Sequence, residues 1–340
     1  MWGPRYRRTR RRPRSRADIV RTTAGRTTIT VADLGEFGLI AKIRALAPAG
    51  AVQLVGIGDD AAVLRAPDGR VVATMDLLVE DRHFRRGWST AFDVGVKAAA
   101  QNLADIAAMG ASPTALLVGL AAPGDLPVAW AEELTRGLVA ECARVGAVLA
   151  GGDVSSADKI TLAITALGDL AGREPVTRAG ARPGDQLALA GPVGHSAAGL
   201  ALLEAGLTEP GALIASHRRP RPRYAAGPQA AELGATSMID VSDGLLADLG
   251  HVAQASGVRI DVQTARLEDS RLTAAAAALA GADWLRWALT GGEDHALAAT
   301  FPAGPQPGRD WRVIGTVSAG DGVLVNGQPY PGPGGWQHFA

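Results

Sequence analysis

The stretch IDVSDGLLADLGHVAQAS, residues 239–256, decides the fold class of the chain. Its apolar start is typical of a buried strand, and LLADLGHVAQAS has the apolar spacing of an amphipathic helix. The polar turn at residues 242–244 joins the two. A strand that runs into a helix through a polar turn predicts an α/β layer structure. The first amides of such a helix can also face an anion.

The combination of aspartate with glycine recurs along the chain. The other runs are GIGDDAAVL (56–64), ATMDLLVEDRHF (73–84), NLADIAAMG (102–110), GGDVSS (151–156) and GGEDH (291–295). Each run places a carboxylate beside small residues. Carboxylates gathered without a cationic partner need a cation, and ligands that are all oxygen favour Mg²⁺ over zinc or copper. The pattern therefore predicts several metal ions between carboxylates and a polyphosphate.

The usual phosphate-binding motifs are missing from the sequence. It has no GxxxxGK[ST], no GxGxxG that opens a helix and no HRD…DFG set. Its three lysines, Lys42, Lys97 and Lys159, lie outside glycine-rich loops. Phosphoryl transfer needs positioning and stabilisation of oxygen charge, and metal ions can supply both. We therefore expect a site in which metal ions dominate the chemistry.

The composition is that of a globular protein with an unusual beginning. A length of 340 residues favours two domains, and 47% apolar residues suffice for a core. The net charge is zero, but the first residues form an arginine block, so the rest of the chain is acidic. We predict that residues 1–33 are a disordered tail, or follow a start site placed too far upstream. A transit peptide and an arm that binds nucleic acid are the less favoured alternatives.

Cysteine and histidine usage excludes several classes of site. The only cysteine is Cys142, so no disulfide can form within one chain, which indicates a reducing cytoplasm. It lies in a helical pattern that is typical of core packing. The absence of HxxxH and CxxC spacings argues against a transition-metal site. No apolar run is long enough to span a membrane, so no membrane partner is expected.

Strands and helices alternate on both sides of a glycine- and proline-rich boundary at residues 172–187. We predict an N-terminal domain at 34–172 and a C-terminal domain at 173–340. In the first, a hairpin is expected over 63–79 and a short strand at 147–153 that ends in a turn. A helix over 90–109 would place Lys97, Gln101 and Asp105 on one polar face. In the second, a hairpin is expected to turn at Asn326 and Gly327.

Each acidic residue also has an ordinary structural interpretation. The pair at 59–60 could form a capped turn, Asp105 could be a solvated helix position, and Asp153 could cap a turn. Ser242 could be only a helix N-cap, and Asp248 a surface or packing residue. The set taken in order is a stronger argument than any one member.

The chain resembles the thiamine-monophosphate kinase family in an ordered series of runs. The series is GIGDDAAVL, MDLLVEDRHF, NLADIAAMGA, GGD, TRAGARPGD, HSAAGLALL, MIDVSDGLLADLGHVAQAS, LTGGEDHAL and the final GGWQHF. This family belongs to the superfamily of aminoimidazole-ribonucleotide synthetase and selenophosphate synthetase. The resemblance runs from Gly35 to the C-terminus and leaves out the arginine-rich tail.

The resemblance implies a two-domain α/β (α+β) fold of the aminoimidazole-ribonucleotide-synthetase type. Its N-terminal domain would pair with that of a second subunit in a shared β-barrel, and the chain would be a homodimer. The implied reaction is ATP-dependent conversion of thiamine monophosphate to thiamine diphosphate by direct in-line transfer, with several Mg²⁺ ions. The acceptor is a phosphate oxygen that is ionised near pH 7, so no strong general base or nucleophile is needed. No catalytic side chain is therefore assigned.

The resemblance also assigns residues to the site. The implied metal ligands are Asp60, Thr74, Met75, Asp76, Asp105, Asp153, Asp240 and Asp243. The implied ATP contacts are Gly152, Asp153, Arg178 and Ser242. The implied substrate contacts are His83, Glu293 and Trp336. An arginine suits bidentate phosphate binding, and a tryptophan could stack on the cationic thiazolium ring.

Two positions depart from the family pattern. Met75 stands where a small or hydroxylated residue is usual, which is harmless if that position ligates through its backbone carbonyl. His295 stands where an aromatic residue is frequent, and we expect it to be tolerated.

Related enzymes are the nearest alternatives. Selenophosphate synthetase would need a reactive cysteine in an N-terminal glycine loop, and the hydrogenase-maturation relative would end in cysteine. Aminoimidazole-ribonucleotide synthetase fits TGGEDHAL and the GGWQHF end poorly. A different class is a non-catalytic nucleotide sensor or a nucleic-acid-binding protein that uses the tail, but the full acidic set argues against it.

Overall fold

The computed structural model describes residues 28–57, 61–209 and 211–336. Most of the predicted tail, the pair at 59–60 that includes Asp60, and the last four residues of the chain lie outside these ranges. Among the described residues, no helix is long and apolar enough to cross a membrane.

The described residues of the first half form four α-helices and six strands. The helices are α1 (Val31–Leu34), α2 (Glu36–Leu46), α3 (Ala91–Ala108) and α4 (Val128–Ala143). The strands are β1 (Gln53–Val55), β2 (Val63–Leu64), β3 (Val72–Val79), β4 (Ser112–Ala122), β5 (Val148–Ser156) and β6 (Thr161–Asp169). Strands β3 to β6 form one sheet in the order β3-β6-β4-β5, in which only the β4–β5 pair is parallel.

The described residues of the second half add six α-helices, one short 3-10 helix and seven strands. The helices are α5 (His195–Glu204), α6 (Gly211–Arg218), α7 (Ala226–Glu232), α8 (Leu245–Ser256), α9 (Ser270–Ala278) and α10 (Trp284–Thr290). The strands are β7 (Gln186–Ala190), β8 (Ser237–Val241), β9 (Arg259–Val262), β10 (Ala296–Phe301), β11 (Arg312–Ser318), β12 (Gly322–Val325) and β13 (Gln328–Pro329). They form one sheet in the order β13-β12-β9-β11-β7-β10-β8.

Helix α3 lies between the two sheets and joins the halves. It packs against β3, β4 and β6 of the first sheet and against β8 and β10 of the second. Of its 18 residues, 15 are buried, and most of these are alanine or glycine. Small side chains permit this close approach: a Cβ at Gly95 would lie 2.1 Å from the Leu134 carbonyl oxygen of α4. One apolar core therefore continues from the first sheet through α3 to the second.

The second sheet is covered on both faces. Alternate residues of β7 point to opposite sides, so Ala188 and Ala190 belong to the core around α3. Leu187 and Leu189 belong to a second core under α5, α8 and α10. This arrangement places the carboxyl end of β8, with its SDG turn, next to α3.

Two local predictions in the first half are wrong. The expected hairpin over 63–79 does not form, because β2 pairs with β1 and β3 pairs with β6. The apolar runs were identified correctly, but the Asp68–Gly69 turn signal did not determine their partners. Gly152 and Asp153 do not lie in a turn after a short strand; they lie inside β5, which continues to Ser156 along β4. The hairpin at Asn326 and Gly327 is confirmed as β12–β13.

Candidate functional site

The polar face of α3 meets strand β3 at the centre of the site. Thr74 Oγ1 donates to Asp105 Oδ2 at 2.8 Å. The backbone amide of Asp76 donates to Asn102 Oδ1 at 3.0 Å, and the Asp76 carboxylate is hydrogen-bonded to Gln101. Alternation along β3 turns both Thr74 and Asp76 towards α3. The sequence-predicted face of α3 is therefore turned to the candidate metal residues.

Met75 lies between those two residues and points the other way. Its side chain is 59% exposed on the opposite face of β3. Of this residue, only the backbone could serve the site.

Asp240, near the end of β8, contributes a buried carboxylate from the second half. Its Oδ2 lies 3.1 Å from Nδ1 of His295, which is also buried. Burial disfavours a charge on His295, but the hydrogen bond and the charge of Asp240 outweigh it and raise its pKa. His295 is thus more than a tolerated replacement for an aromatic residue, because it is paired with a candidate metal ligand.

Three acids repel one another in this centre. Burial, with the charges of Asp240 and Asp76, raises the pKa of Asp105 to about 7. Burial likewise raises the pKa of Asp76. The charge of Asp240 also raises this pKa, whereas His295, the hydrogen bond from Gln101 and His83 oppose the rise. Like charges held together in this way favour a bound cation.

The described acids would supply only part of a metal site. Within residues 28–57, 61–209 and 211–336, no three His, Cys, Asp or Glu side chains lie close enough to hold an ion by themselves. Mg²⁺ commonly takes one or two carboxylates and fills its other positions with water and phosphate oxygens. The donor set of oxygens around Asp76, Asp105 and Asp240 therefore fits Mg²⁺ that arrives with a polyphosphate.

The SDG turn that follows β8 is fixed by Asp248. Oδ2 of this buried carboxylate accepts the backbone amides of Ser242, Asp243 and Gly244 at 3.0 to 3.1 Å. Burial and the charge of Asp240 raise its pKa to about 7. Asp248 is thus neither a surface residue nor a direct ligand but the support of the turn that presents Asp243.

The GGED turn packs backbone to backbone against the SDG turn. The Glu293 amide donates to the Ser242 carbonyl at 2.7 Å, and the His295 amide donates to the Val241 carbonyl at 2.9 Å. Glu293 and His295 both have left-handed backbone angles, with φ of 65° and 53°. A Cβ at Gly292 would lie 2.5 Å from the Ser242 carbonyl oxygen, so this approach requires glycine.

Asp294 anchors the other side of the GGED turn. Its carboxylate accepts the amides of Gly194 and Ser196 at the start of α5. Burial raises the pKa of Asp294 to about 7, against the opposing effect of these two amides.

Two of the predicted substrate contacts, His83 and Glu293, meet at Lys97. Lys97 Nζ lies 2.9 Å from the His83 carbonyl oxygen and 2.9 Å from the Glu293 carboxylate. His217 Nδ1 lies 3.5 Å from the same carboxylate. Burial, with the charge of Lys97, lowers the pKa of His217 to about 4, so this ring is neutral near pH 7.

The third predicted contact, Trp336, lines a cavity of about 530 Å³ beside the GGED turn. Its walls include Arg286, Gly291, Gly292 and Tyr330. The Trp336 amide donates to the Asp243 carbonyl at 2.9 Å. The turn that holds the aromatic cavity therefore directly follows the strand that carries Asp240 of the acidic centre.

Three predicted residues are not brought to this centre. Gly152 and Asp153 are exposed on β5, which lies at the opposite edge of the sheet from β3, three strand spacings of about 4.8 Å away. Arg178 is exposed and lies far from Ser242, at the opposite ends of β8 and α8. The Arg178 carbonyl accepts a hydrogen bond from Ser256 at the end of α8, and the Thr177 carbonyl accepts one from Met238 near the start of β8. Their assignments stay predictions.

Several residues of the site were not predicted from the sequence. Asn102, Asp248 and Asp294 support the turns and strands that hold the acids, and helical spacing from Asp105 could have suggested Asn102. Lys97 was placed on the correct face of α3, but its partner is 196 residues away in the chain. Sequence spacing carries no signal for such a contact.

Comparison with known proteins places the chain among related sequences and folds. Residues 58–170 match the AIR synthase related protein N-terminal domain family, and residues 182–326 match the corresponding C-terminal domain family. The thiamine-monophosphate kinase of Mycobacterium tuberculosis is 51% identical over 313 residues, which cover 91% of this chain and 93% of the relative.

Two solved structures share the fold. The thiamine-monophosphate kinase of Stenotrophomonas maltophilia K279a superposes with a TM-score of 0.76 at 34% identity, over 85% of this chain and 96% of that one. The complex of AaThiL with AMPPCP and TMP superposes with a TM-score of 0.74 at 35% identity, over 92% and 99%. The predicted two-domain α/β fold is confirmed.

Asp294→Asn tests the electrostatics of the GGED turn. Because burial raises the pKa of Asp294 to about 7, the folded protein binds a proton that the unfolded chain has lost between about pH 4 and 7. Stability from this group is present at low pH and is lost as the pH rises through 7. In Asp294→Asn the fall of unfolding free energy with pH should be shallower, by up to about 1.4 kcal/mol per pH unit.

Urea unfolding at a series of pH values without divalent ions measures this slope. The exposed Asp310→Asn is the control for a change of surface charge. An Asp294→Asn slope equal to that of the wild type would contradict the assignment.

Proposed function

The chain belongs to the thiamine-monophosphate kinase family, and from this membership we infer that it transfers the terminal phosphoryl group of ATP to thiamine monophosphate, giving thiamine diphosphate. The inference is supported by 51% identity to a thiamine-monophosphate kinase over most of both chains. It is also supported by the shared fold of a relative that holds AMPPCP, an ATP analogue, together with TMP.

One observation in the site carries the proposal furthest. The turn at residues 242–244 directly follows β8, which carries Asp240 of the acidic centre, and it holds Trp336 of the aromatic cavity through the hydrogen bond from the Trp336 amide to the Asp243 carbonyl. A kinase whose acceptor combines a cationic aromatic ring with a phosphate needs these two environments side by side. The ring would stack on Trp336, while the phosphate would point towards the acids.

We propose that Mg²⁺ is held by Asp76, Asp105, Asp240 and Asp243, together with the Thr74 hydroxyl and with Asp60, which lies outside the described residues. When bound, Mg²⁺ would neutralise the phosphate oxygens and stabilise charge in the transition state. The chain's own task is to fix the carboxylates. Thr74 holds Asp105, Asn102 and Gln101 hold Asp76, and His295 holds Asp240.

We propose direct in-line transfer without a phospho-enzyme. The acceptor oxygen is ionised near pH 7, so it needs orientation rather than deprotonation. The lone thiol, Cys142, is buried, and burial raises its pKa to about 12, which makes it unsuited to be a nucleophile. Orientation by the cavity wall and by Glu293 would supply most of what the side chains contribute.

The acceptor specificity of the purified full-length chain tests the function. With ATP and Mg²⁺, thiamine monophosphate should yield thiamine diphosphate, detected by chromatography. Preference for free thiamine, or absence of thiamine diphosphate, would refute the proposal.

Asp76→Asn and Asp243→Asn should each lower kcat roughly 100-fold or more, because each removes a charge that stabilises the metal-bound phosphates. The exposed Asp125→Asn is the matched control and should retain wild-type kcat. Melting temperatures measured on the same samples separate loss of activity from loss of folding. Wild-type turnover in either site variant would contradict the metal assignment.

We propose a homodimer through the outer face of β3. This face exposes Val71, Met75 and Leu77, with side chains 54%, 59% and 48% accessible. The β1–β2 pair, which packs near β4 and β5 of the same sheet, exposes Leu54, Val55 and Val63 as well. Exposed apolar residues on an edge strand favour pairing with a second subunit, as the predicted shared β-barrel requires.

Leu77→Asp should convert the dimer to a monomer, because it places a charge in this apolar contact. Leu233→Asp is the matched control, since Leu233 is similarly exposed, at 45%, but lies at the end of α7. Sedimentation equilibrium measures the mass. A monomeric wild type, or a Leu77→Asp dimer as stable as that of the control, would argue against this interface.

We propose a cytoplasmic location, because the reaction consumes ATP and the chain's one cysteine requires no oxidising compartment. Nucleic acid is not proposed as a partner. Binding through the arginine-rich tail stays the alternative, and removal of residues 1–34 would leave kinase activity unchanged if the tail has no part in the reaction.

A further inference from the structure

Lys97 is the one lysine among the described residues that is buried, with 2% of its surface exposed. It lies in the middle of α3, between the two sheets. Its Nζ donates to the His83 carbonyl in the loop after β3 and to the Glu293 carboxylate in the GGED turn. Both Glu293 oxygens lie 2.9 Å from Nζ. A single ammonium group thus connects the two halves of the chain at the site.

A stabilising role alone accounts poorly for this pair. A buried ion pair often contributes little net stability, because desolvation offsets the attraction between the charges. The pair is also not closed off in the core: the Glu293 side chain keeps 34% of its surface exposed, whereas the Lys97 side chain keeps 3%. The buried Lys97 therefore holds a Glu293 carboxylate that remains accessible.

The place of Glu293 in the GGED turn links the Lys97–Glu293 pair to the cavity. Glu293 directly follows Gly291 and Gly292, which line the cavity with Trp336. Burial would raise the pKa of Glu293, but the charge of Lys97 and its hydrogen bond, joined by His217 when that ring is protonated in acid, outweigh it and lower the pKa. Because the His217 ring is neutral near pH 7, Lys97 is the charge that offsets this carboxylate.

An acceptor phosphate that enters this site meets several acids. If Glu293 were not neutralised, its charge would add to the repulsion from Asp76, Asp105 and Asp240. If the Glu293 side chain were not fixed, the GGED turn, which is left-handed at Glu293, could move and change the cavity that Gly291 and Gly292 line. Lys97 opposes both effects, because it pairs with the carboxylate and ties it to the His83 loop.

We propose that Lys97 is a positioning residue for the acceptor: it fixes and neutralises Glu293 in the turn whose Gly291 and Gly292 line the Trp336 cavity, and so sets the affinity for thiamine monophosphate. The proposal rests on the proposed kinase function. Loss of the ammonium group should therefore weaken acceptor binding while leaving the KM for ATP close to that of the wild type. Asp76 and Asp243 variants, in contrast, are expected to act on kcat.

The test compares Lys97→Met with Lys42→Met. Lys42 also pairs with a glutamate, Glu132, at 2.6 Å, but on the surface with 45% of its side chain exposed. Lys97→Met should raise the KM for thiamine monophosphate, and its Kd measured calorimetrically in the presence of AMPPCP and Mg²⁺, by about tenfold to a hundredfold. Lys42→Met should change neither.

Rescue by a small amine separates positioning from packing. Lys97→Ala removes the atoms that correspond to propylamine, so added propylamine should lower the KM for thiamine monophosphate in a saturable manner. Propanol has a similar size and no charge, and it should not. If Lys97→Met does not fold, Lys97→Gln, which keeps a donor for the His83 carbonyl, takes its place in the comparison.

Three results would overturn the proposal: wild-type KM and Kd for thiamine monophosphate in Lys97→Met, a lowered melting temperature without a change in acceptor affinity, or equal rescue by propylamine and propanol. Wild-type protein that forms no thiamine diphosphate would instead refute the kinase function. Normal wild-type turnover with unaffected Lys97 variants would refute only the positioning role.

Discussion

The rest of the structure depends on a polar stripe along a helix that is largely buried. Helix α3 is packed between two sheets, yet it carries Asp93, Lys97, Gln101 and Asp105 at intervals of four residues. A charge in that position must find a partner, since an unpaired one would cost several kcal/mol. Each member does so: Asp93 pairs with Arg219, Lys97 with Glu293, Gln101 with Asp76, and Asp105 with Thr74. The partners come from both halves of the chain, so satisfying the stripe assembles the site.

The second organising feature is the contact of glycine-rich turns through their backbones. The SDG turn lies between the GGED turn and the segment that carries Trp336, with hydrogen bonds from the amides of Glu293 and Trp336 to its carbonyls. A Cβ at Gly335 would lie 2.5 Å from the Asp243 carbonyl oxygen, so glycine is required there too. Because the contacts are made by backbone, the cavity and the acidic centre cannot move independently. The acids Asp248 and Asp294 complete this frame by accepting backbone amides.

The sequence predicted the elements better than their partners. Helical spacing correctly placed Lys97, Gln101 and Asp105 on one face, because that relation is local. The hairpin expected over 63–79 does not form, because strand pairing depends on the whole sheet, and β3 pairs with β6 instead of with the preceding strand. The short helix α10 was missed, since WLRWALT has too few residues to show a period. Lys97 with Glu293, and Asp294 with α5, join residues about one hundred or more apart, and no local pattern encodes such pairs.

Strand β3 has a consequence for how the gene can vary. Thr74 and Asp76 face the acids, while Met75 and Leu77 lie on the uncovered apolar surface, so residues for two different tasks alternate along one strand. Side chains in a strand alternate with a period of two, and a shift of one residue exchanges the faces. A codon deletion within β3 would therefore move the carboxylate onto the apolar surface and a methionine into the acidic centre. A substitution in this strand affects one of its two faces, whereas a change in its length affects both and should be strongly selected against.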